Sequence, residues 1–281
     1  IGIFILLQSN QGGKIISGMG VIIMLYLIFG HQLKGVLHIP PLNIKHIATM
    51  AFTDTDQGAF GSFLAITSRT LSVFLLFSCF LVAAGLGDLI KAVSMLGSGK
   101  STGGPAKVAV IASALFGMVS GSPVANVAAT GSFTIPLMKS IGYKPKTAAA
   151  VETVASSGGN ITPPIMGISA FIMCEILGVS YTRVIVWAII PAFLWYFTTY
   201  CFVHFSALSQ GVKTWVPERE ELMQIIRTRW HLLIALFVLV YYLIAYKVAE
   251  TAALYSVVAL FVVSFFRKET RLNLTKIKEF L

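Results

Sequence analysis

Neutral oxygen atoms are concentrated in one part of this sequence, between residues 108 and 177. Hydroxyl, amide and carbonyl oxygens can replace the water around an alkali cation at little geometric cost. The side chains that supply them are Ser120, Ser122, Asn126, Thr130, Ser132, Ser156, Ser157, Asn160 and Thr162. The carboxylate clusters of tight divalent-cation sites are absent from this stretch. The pattern therefore favours sodium as a bound ion.

Catalytic chemistry is a poor match to the same residues. The run Gly117-Met-Val-Ser120-Gly121 has the outline of a serine nucleophile motif, but a serine needs a basic partner to activate it. All five histidines lie outside residues 108–177, and no phosphate-binding loop or HExxH motif occurs. We therefore expect no enzyme activity and no cofactor, with sodium as the single bound metal ion.

The first of two unusual elements is a stretch of 31 residues, 108–138, that carries no charge. It is too long for one ordinary membrane span and too short for two complete spans. Its middle, residues 119–126, combines small hydroxyl residues with a glycine and a proline, which disfavours a continuous helix. We predict a re-entrant helical hairpin over 107–139, with its tip at these residues.

The second unusual element follows directly, over residues 147–177. Two apolar halves flank the run Gly158-Gly-Asn-Ile-Thr-Pro-Pro164, in which the glycines free the backbone and the prolines remove amide donors. We predict one membrane span that is broken at its centre. The alternative is a pair of ordinary kinks that helix packing absorbs.

Two interrupted helices in succession are the strongest functional signal in the chain. Secondary transporters use such breaks to present carbonyl oxygens and helix ends to substrates and coupling ions. Helix N-termini aimed at the same cavity favour an anionic group such as a carboxylate. The residues alone therefore favour ion-coupled transport.

Composition places these elements in a membrane. Apolar residues make up 56% of the chain and charged residues 11%, with a mean hydropathy of +0.83. The net charge of +10 comes from basic residues in short gaps between apolar runs, which indicates membrane topology and not nucleic-acid binding. Spans are predicted at 15–29, 71–89, 184–205, 231–246 and 251–266, and amphipathic helices at 215–230 and 271–281.

Charge counting does not fix the topology. With a re-entrant hairpin, 16 Lys and Arg residues lie on one face and five on the other. Treating residues 108–138 as a single crossing gives 15 against six in the opposite sense. The hairpin is preferred because it brings both of its own basic flanks to the cytoplasmic face.

Two acids flank the second break. Intramembrane carboxylates are functional candidates, for example as proton carriers. The competing interpretation places both near a membrane surface, because Glu152 is six residues after Lys146 and Glu175 lies at the far end of the span. The sequence leaves both alternatives open.

The sequence motifs resemble a known transporter family. Residues 103–110, 114–126, 131–138, 151–167 and 170–178 are similar to the large membrane subunit of tripartite ATP-independent periplasmic (TRAP) transporters. The similarity is greatest to the fused permease of the TAXI branch. It is dense over residues 58–208 and looser as far as residue 266.

The resemblance implies a sodium-driven, elevator-type importer of small organic acids in the bacterial inner membrane. A periplasmic TAXI-type solute-binding protein would deliver the substrate. By analogy, the tip and the break form one sodium site and one wall of a substrate site. The implied sodium-binding residues are Ser120, Gly121, Ser122, Asn126, Gly158, Gly159, Asn160 and Thr162. The implied substrate-binding residues are Ser122, Pro123, Asn126, Thr162, Pro163 and Pro164.

The resemblance also implies that half of the transporter is missing. The family has a second repeat with its own hairpin and broken helix, which should begin where this sequence stops. We therefore expect an all-α membrane protein with about six transmembrane segments, one of them broken, plus the hairpin: half of an inverted-repeat transporter, with the other half as a partner. The alternative is a truncated, non-transporting assembly partner or gene remnant.

Three regions are predicted on this basis. Residues 1–69 form an N-terminal membrane segment and periplasmic loop. Residues 70–178 form half of a transport domain. Residues 179–281 supply scaffold spans and amphipathic arm helices.

Overall fold

The computed structural model describes residues 14–52, 61–98, 101–213, 215, 218–246 and 248–271. These residues are helical, with no β-strand among them, so the predicted all-α class is confirmed. The chain forms two compact units, residues 1–65 and 66–281. The predicted C-terminal amphipathic helix at 271–281 lies outside the described residues apart from Arg271, and the three predicted regions stay predictions.

Within its described residues, the first unit contains two complete helices and most of a short third helix, Ser62–Ile66. Helix α1 (Lys14–Phe29) is followed by the 3-10 turns Gly30–Gln32 and Gly35–Leu37 and then by α2 (Ile44–Phe52). The Tyr26 hydroxyl donates a hydrogen bond of 3.0 Å to the Leu37 carbonyl. This bond holds the turns that follow α1 against that helix.

The second unit contains ten helices within its described residues. The first four are α3 (Ser72–Ala83), α4 (Leu86–Ser98), α5 (Gly104–Ser120) and α6 (Pro123–Ser140). The next three are α7 (Pro145–Ser157), α8 (Ile168–Leu177) and α9 (Tyr181–Gln210). The last three are α10 (Arg219–Arg229), α11 (Leu233–Tyr246) and α12 (Ala249–Ser264).

Three helical stretches in the described part of the chain are long and apolar enough to cross a membrane: Leu64–Ala83, Tyr181–Gln210 and Arg219–Tyr246. The predicted span at 71–89 is wrong at its C-terminal end. Gly85 adopts φ +99° and separates α3 from α4, a conformation that glycine tolerates because it has no Cβ. The predicted number of about six spans stays a prediction.

The hairpin and the broken helix are present as helical elements. Helices α5 and α6 lie side by side and are joined at Gly121–Ser122. Helix α7 ends at Ser157, a 3-10 turn covers Gly158–Ile161, and α8 starts only at Ile168. Whether the hairpin re-enters the membrane stays a prediction.

The predicted amphipathic helix at 215–230 is shorter in the structure and packs against α4. It forms α10, which begins at Arg219 with Glu220 and Glu221 in its first turn. Arg229 forms an ion pair with Asp88 and donates to the Gly85 carbonyl at 3.1 Å. Helix α10 is therefore attached at the bend between α3 and α4.

Candidate functional site

The tip of the hairpin is a two-residue turn between helices. Gly121 caps α5 with φ +59°, and its amide donates to the Gly117 carbonyl at 3.1 Å. Ser122 is the N-cap of α6, and its hydroxyl accepts from the Ala125 amide at 3.4 Å. The Ser120 hydroxyl accepts from the Ser122 amide and contacts no titratable side chain in the part of the chain that is described. The chain therefore reverses direction in a turn whose polar groups are hydrogen-bonded to one another.

The break contains a 3-10 turn and an extended segment. The Thr162 amide and hydroxyl donate to the carbonyls of Gly159 and Gly158, at 3.3 and 2.6 Å. The Gly167 amide donates to the Asn160 carbonyl at 2.8 Å. The Pro163–Pro164 peptide bond between them is cis. The break is thus an ordered loop.

Tip and break meet backbone to backbone. The Ile165 amide donates to the Met118 carbonyl at 3.2 Å, which joins the extended segment to the end of α5. A Cβ added to Gly121 would lie 2.6 Å from the Met166 carbonyl oxygen. One added to Gly117 would lie 2.5 Å from the Gly159 Cα. Glycine is required at both contacts because no side chain fits between the two backbones.

Helix C-termini and helix N-termini, which carry partial charges of opposite sign, both lie at this contact. Helix α5 and the turn after α7 end here, and carbonyl groups carry partial negative charge at such ends. Helices α6 and α8 begin here, and N-termini carry partial positive charge. The arrangement can stabilise a cation beside the carbonyls and an anion beside the N-termini.

Asn126 lies behind the tip. It is fully buried, and its side-chain amide donates to the carbonyls of Ser113 and Ser156, at 2.8 and 3.4 Å. Its side-chain oxygen lies 3.3 Å from the Thr130 hydroxyl. Asn126 therefore connects both arms of the hairpin to α7.

The other predicted residues are distributed along the contact. Gly158, Gly159 and Pro164 are buried, as is Thr162, and Asn160, Pro163 and Pro123 are half-buried. The structure brings Gly121 and Asn126 to the break, whereas the hydrogen bonds of Ser122 stay within the tip. The tip and the break are thus in contact through some of the residues that were predicted to bind sodium or substrate.

Three aromatic residues of α9 support the break and were not predicted. The Tyr181 hydroxyl donates to the Pro164 carbonyl at 2.9 Å and accepts from the Met166 amide at 3.2 Å. The Tyr196 hydroxyl lies 3.2 Å from the Thr162 hydroxyl and can donate to it, because the proton of Thr162 is already directed at the Gly158 carbonyl. Trp195 donates to the Val154 carbonyl at 3.0 Å and packs beside Gly158. The chain is not a regular helix at the break, so backbone groups there lack helical hydrogen-bond partners. The aromatic side chains of α9 supply partners instead.

Glu152, one of the two acids that flank the break, lies among three helices. Its side chain is 0% exposed between α5, α6 and α7, so it lies in the interior of the helix packing, whereas its depth in the membrane stays a prediction. Its carboxylate accepts from Thr130 and Thr134 at 2.5 Å each, from Ser156 at 3.1 Å and from Ser113 at 3.3 Å. Glu175, by contrast, is exposed at the end of α8.

Comparison with known proteins gives one consistent family. Residues 5–281 match the family model described as "Tripartite ATP-independent periplasmic transporter, DctM component". The chain is 25% identical over 262 residues to the C4-dicarboxylate TRAP transporter large permease protein DctM of Vibrio cholerae, covering 89% of this chain and 57% of that protein. The corresponding Pseudomonas aeruginosa protein is 25% identical over 241 residues, covering 85% and 54%.

A third relative carries a different substrate name. The isethionate TRAP transporter permease protein DctMQ of Oleidesulfovibrio alaskensis is 31% identical over 134 residues, which is 46% of this chain and 20% of that protein. The chain thus spans little more than half the length of the DctM relatives. Matched over nearly all of its residues, this multi-pass membrane chain belongs to the DctM component family of TRAP transporters, a family of transport proteins and not of enzymes.

Proposed function

We propose that this chain carries half of the translocation pathway of a sodium-coupled importer of small organic acids in the bacterial inner membrane. The observation that carries the proposal is the backbone contact between tip and break, where Ile165 is hydrogen-bonded to Met118. Two interrupted helices that meet in this way are how secondary transporters build ion and substrate sites.

The sodium ion is proposed to bind at the carbonyl end of this contact. The C-terminal ends of α5 and of the turn Gly158–Ile161 supply carbonyl oxygens, and Ser120 and Thr162 add hydroxyls. These are neutral ligands, which suit a monovalent cation. No group of His, Cys, Asp or Glu that could hold a transition metal occurs among the described residues. Asn160 is the side-chain amide that we assign to the ion.

The substrate carboxylate is proposed to bind at the opposite helix ends. Ser122 and Pro123 begin α6, and Pro163 and Pro164 precede α8. The prolines have no N–H, so the available donors are the amides that follow them at the start of each helix, such as those of Val124 and Ile168. Amides in the first turn lack partners within the helix and favour an anion. Relatives named for C4-dicarboxylates and for isethionate are consistent with a small organic anion.

The partners follow from the family. We propose that a periplasmic solute-binding protein delivers the acid, that the remaining half of the permease completes the site, and that the two halves move as an elevator. The assignment to the TAXI branch stays a prediction.

The test is uptake of a radiolabelled dicarboxylate into proteoliposomes that contain the complete permease and its binding protein. We expect uptake with an inward sodium gradient and little uptake when choline replaces sodium. Equal uptake in both would overturn the coupling. The variant Asn160→Ala should raise the half-saturating sodium concentration by about ten-fold, the effect of losing roughly one ligand hydrogen-bonding group.

Ser132→Ala is the matched control for that variant. Ser132 is exposed on the hairpin arm α6, and within the described part of the chain its hydroxyl is hydrogen-bonded to the Ala129 carbonyl of its own helix alone. It should leave the sodium dependence unchanged. An identical sodium dependence of Asn160→Ala and Ser132→Ala would remove Asn160 from the site.

A further inference from the structure

A buried carboxylate lies where three helices of the candidate site converge. Glu152 projects from α7 and is surrounded by hydroxyl groups of α5 (Ser113), α6 (Thr130 and Thr134) and α7 itself (Ser156). Gly131 makes room for it, because a Cβ there would lie 3.2 Å from the Glu152 Cγ. Every hydroxyl of this set belongs to a buried residue. A buried acid is costly unless its oxygens are hydrogen-bonded, so the four donors are what allow it here.

The same hydroxyls connect Glu152 to the tip. Thr130 lies between Glu152 and Asn126: its hydroxyl is 2.5 Å from the carboxylate and 2.8 Å from the Asn126 carbonyl. Ser113 and Ser156 are shared in the same way, because their hydroxyls contact Glu152 and their carbonyls accept from the Asn126 amide. Glu152 and Asn126 are thus both hydrogen-bonded to Ser113 and Ser156, Glu152 to their side chains and Asn126 to their backbone carbonyls.

We propose that Glu152 is a positioning residue, which fixes the register of the hairpin against the broken helix and so sets the geometry of the sodium ligands at the tip. The inference rests on the proposed sodium site. It deepens that proposal, because Glu152 lies outside the ligands and acts on them through Thr130 and Asn126. Hydrogen-bonded groups that are fully buried specify one arrangement, since any sliding of α5 or α6 along α7 would leave several of them unpaired.

The hydrogen-bonding pattern makes Glu152→Gln the informative variant. A glutamine keeps the length and one carbonyl oxygen, which can accept from Thr130, Ser113 and Ser156. Its amide can donate to Thr134, whose hydroxyl is then free to donate to the Thr130 carbonyl at 3.0 Å. The carboxamide therefore preserves the register, whereas Glu152→Ala removes the acceptor for all four hydroxyls.

The first measurement is hydrogen–deuterium exchange of the 281-residue chain in sodium-free choline buffer. Glu152→Ala should speed amide exchange about ten-fold in both residues 113–130 and residues 156–162, the effect of opening a region that has lost about 1.4 kcal/mol. Glu152→Gln should stay within about two-fold of the unchanged chain. The control Glu175→Ala removes an exposed glutamate and should change neither segment.

The second measurement is the sodium dependence of uptake by the complete permease. Glu152→Ala should raise the half-saturating sodium concentration while the rate at saturating sodium is kept, and Glu152→Gln should restore the original value. A general loss of stability would lower the amount of active protein and leave half-saturation unchanged. If Glu152→Gln behaves like Glu152→Ala in both measurements, the charge and not the hydrogen-bonding geometry matters, and the positioning proposal is overturned.

Thr130→Val covers the case in which Glu152→Ala does not fold. It removes the hydroxyl between Glu152 and Asn126 and keeps the side-chain shape, and it should speed exchange in the same two segments. Its control is Thr153→Val, because Thr153 is exposed and, among the described residues, its hydroxyl is hydrogen-bonded to the Ala149 carbonyl of α7 alone. Unchanged exchange in Thr130→Val overturns the proposal. If the permease without substitutions takes up substrate in the absence of sodium, only the proposal of a sodium site is overturned. The exchange results then still decide whether Glu152 is a positioning residue.

Discussion

Two regions of the second unit pack their helices by different physical means. In the hairpin region, formed by α5, α6 and α7, the buried contacts include an acid, an amide and four hydroxyl groups. In the second region, formed by α3, α11 and α12, the contacts are mainly apolar. Leu81, Leu239, Leu243 and Leu260 are at most 1% exposed there.

The apolar region is held by side-chain shape. Small residues on α11 and α12, Ala235, Ala252 and Ala253, are fully buried, and small residues allow helix backbones to approach closely in membranes. Aromatic pairs add contacts across both interfaces of α12. Tyr242 stacks on Tyr255 with ring centroids 4.7 Å apart, and Phe80 meets Phe261 edge-on at 5.2 Å.

The difference shows where specificity is concentrated. Lipid tails are as apolar as leucine, so apolar contacts between helices distinguish poorly between one register and its neighbours. Lipid tails cannot replace the hydrogen bonds among buried polar groups, so a shift in register leaves donors or acceptors unpaired. The region that is proposed to bind ions is therefore also the region with the most strictly defined helix register.

The largest effect is expected where the two backbones touch. Gly117→Ala adds a Cβ 2.5 Å from the Gly159 Cα, and neither backbone can yield without breaking the hydrogen bond between Ile165 and Met118. We expect a loss of about 3 kcal/mol in the free energy of unfolding. Denaturation in mixed detergent micelles would measure it.

Gly97→Ala is the matched control for this substitution. Its added Cβ would lie 3.9 Å from the Ile111 Cδ1, an ordinary contact, within helix α4. We expect no loss, and a gain of up to about 1 kcal/mol from the higher helix propensity of alanine. Equal losses in both glycine variants would show that the backbone contact has no special role.

A smaller effect of a different kind is expected in the apolar region. Leu239→Ala should lower the free energy of unfolding by about 2 kcal/mol, because it leaves a cavity among α11 and its neighbours. Exchange at residues 113–130 and the half-saturating sodium concentration should not change. A shift in either quantity would mean that the two regions are coupled and that the comparison between them fails.

The smallest effect is expected at the surface between α4 and α10. Asp88→Asn removes the ion pair with Arg229, but the Asp88 side chain is 58% exposed and Arg229 keeps its bond to the Gly85 carbonyl. Exposed pairs contribute little, so we expect a loss below about 1 kcal/mol that decreases as salt is added. A larger loss in the free energy of unfolding that does not depend on salt would show that this contact also defines the positions of its helices.

The sequence predicted the structure well where the local composition allows few backbone conformations. An uncharged stretch of 31 residues with glycine and proline at its centre has few alternatives to a hairpin, and the run from Gly158 to Pro164 cannot continue a helix. Both elements were predicted within a few residues of their observed bounds. The split of residues 71–89 at Gly85 was missed, because one glycine inside an apolar run is compatible with a continuous helix.

The supporting contacts could not be predicted from spacing. Tyr181 and Tyr196 reach the break from a separate helix, and which face of α9 they occupy is decided by tertiary packing. For Glu152, the distance in sequence from Lys146 gives its position along α7 but not the direction in which its side chain points. Its serine and threonine partners on α5 and α6 are what make an interior position possible.

The position of Trp195 and Tyr196 has an electrical consequence. These two residues are at the middle of α9, a helix of 30 residues and about 45 Å, and they touch Gly158 and Thr162 at the break. If α9 crosses the bilayer with its centre at the midplane, the break lies about half way across the membrane. A sodium ion at the site proposed above would then cross about half of the transmembrane voltage on its way from the periplasm, or about 1.2 kcal/mol at 100 mV. At a fixed sodium concentration, the occupancy of such a site rises with the membrane potential.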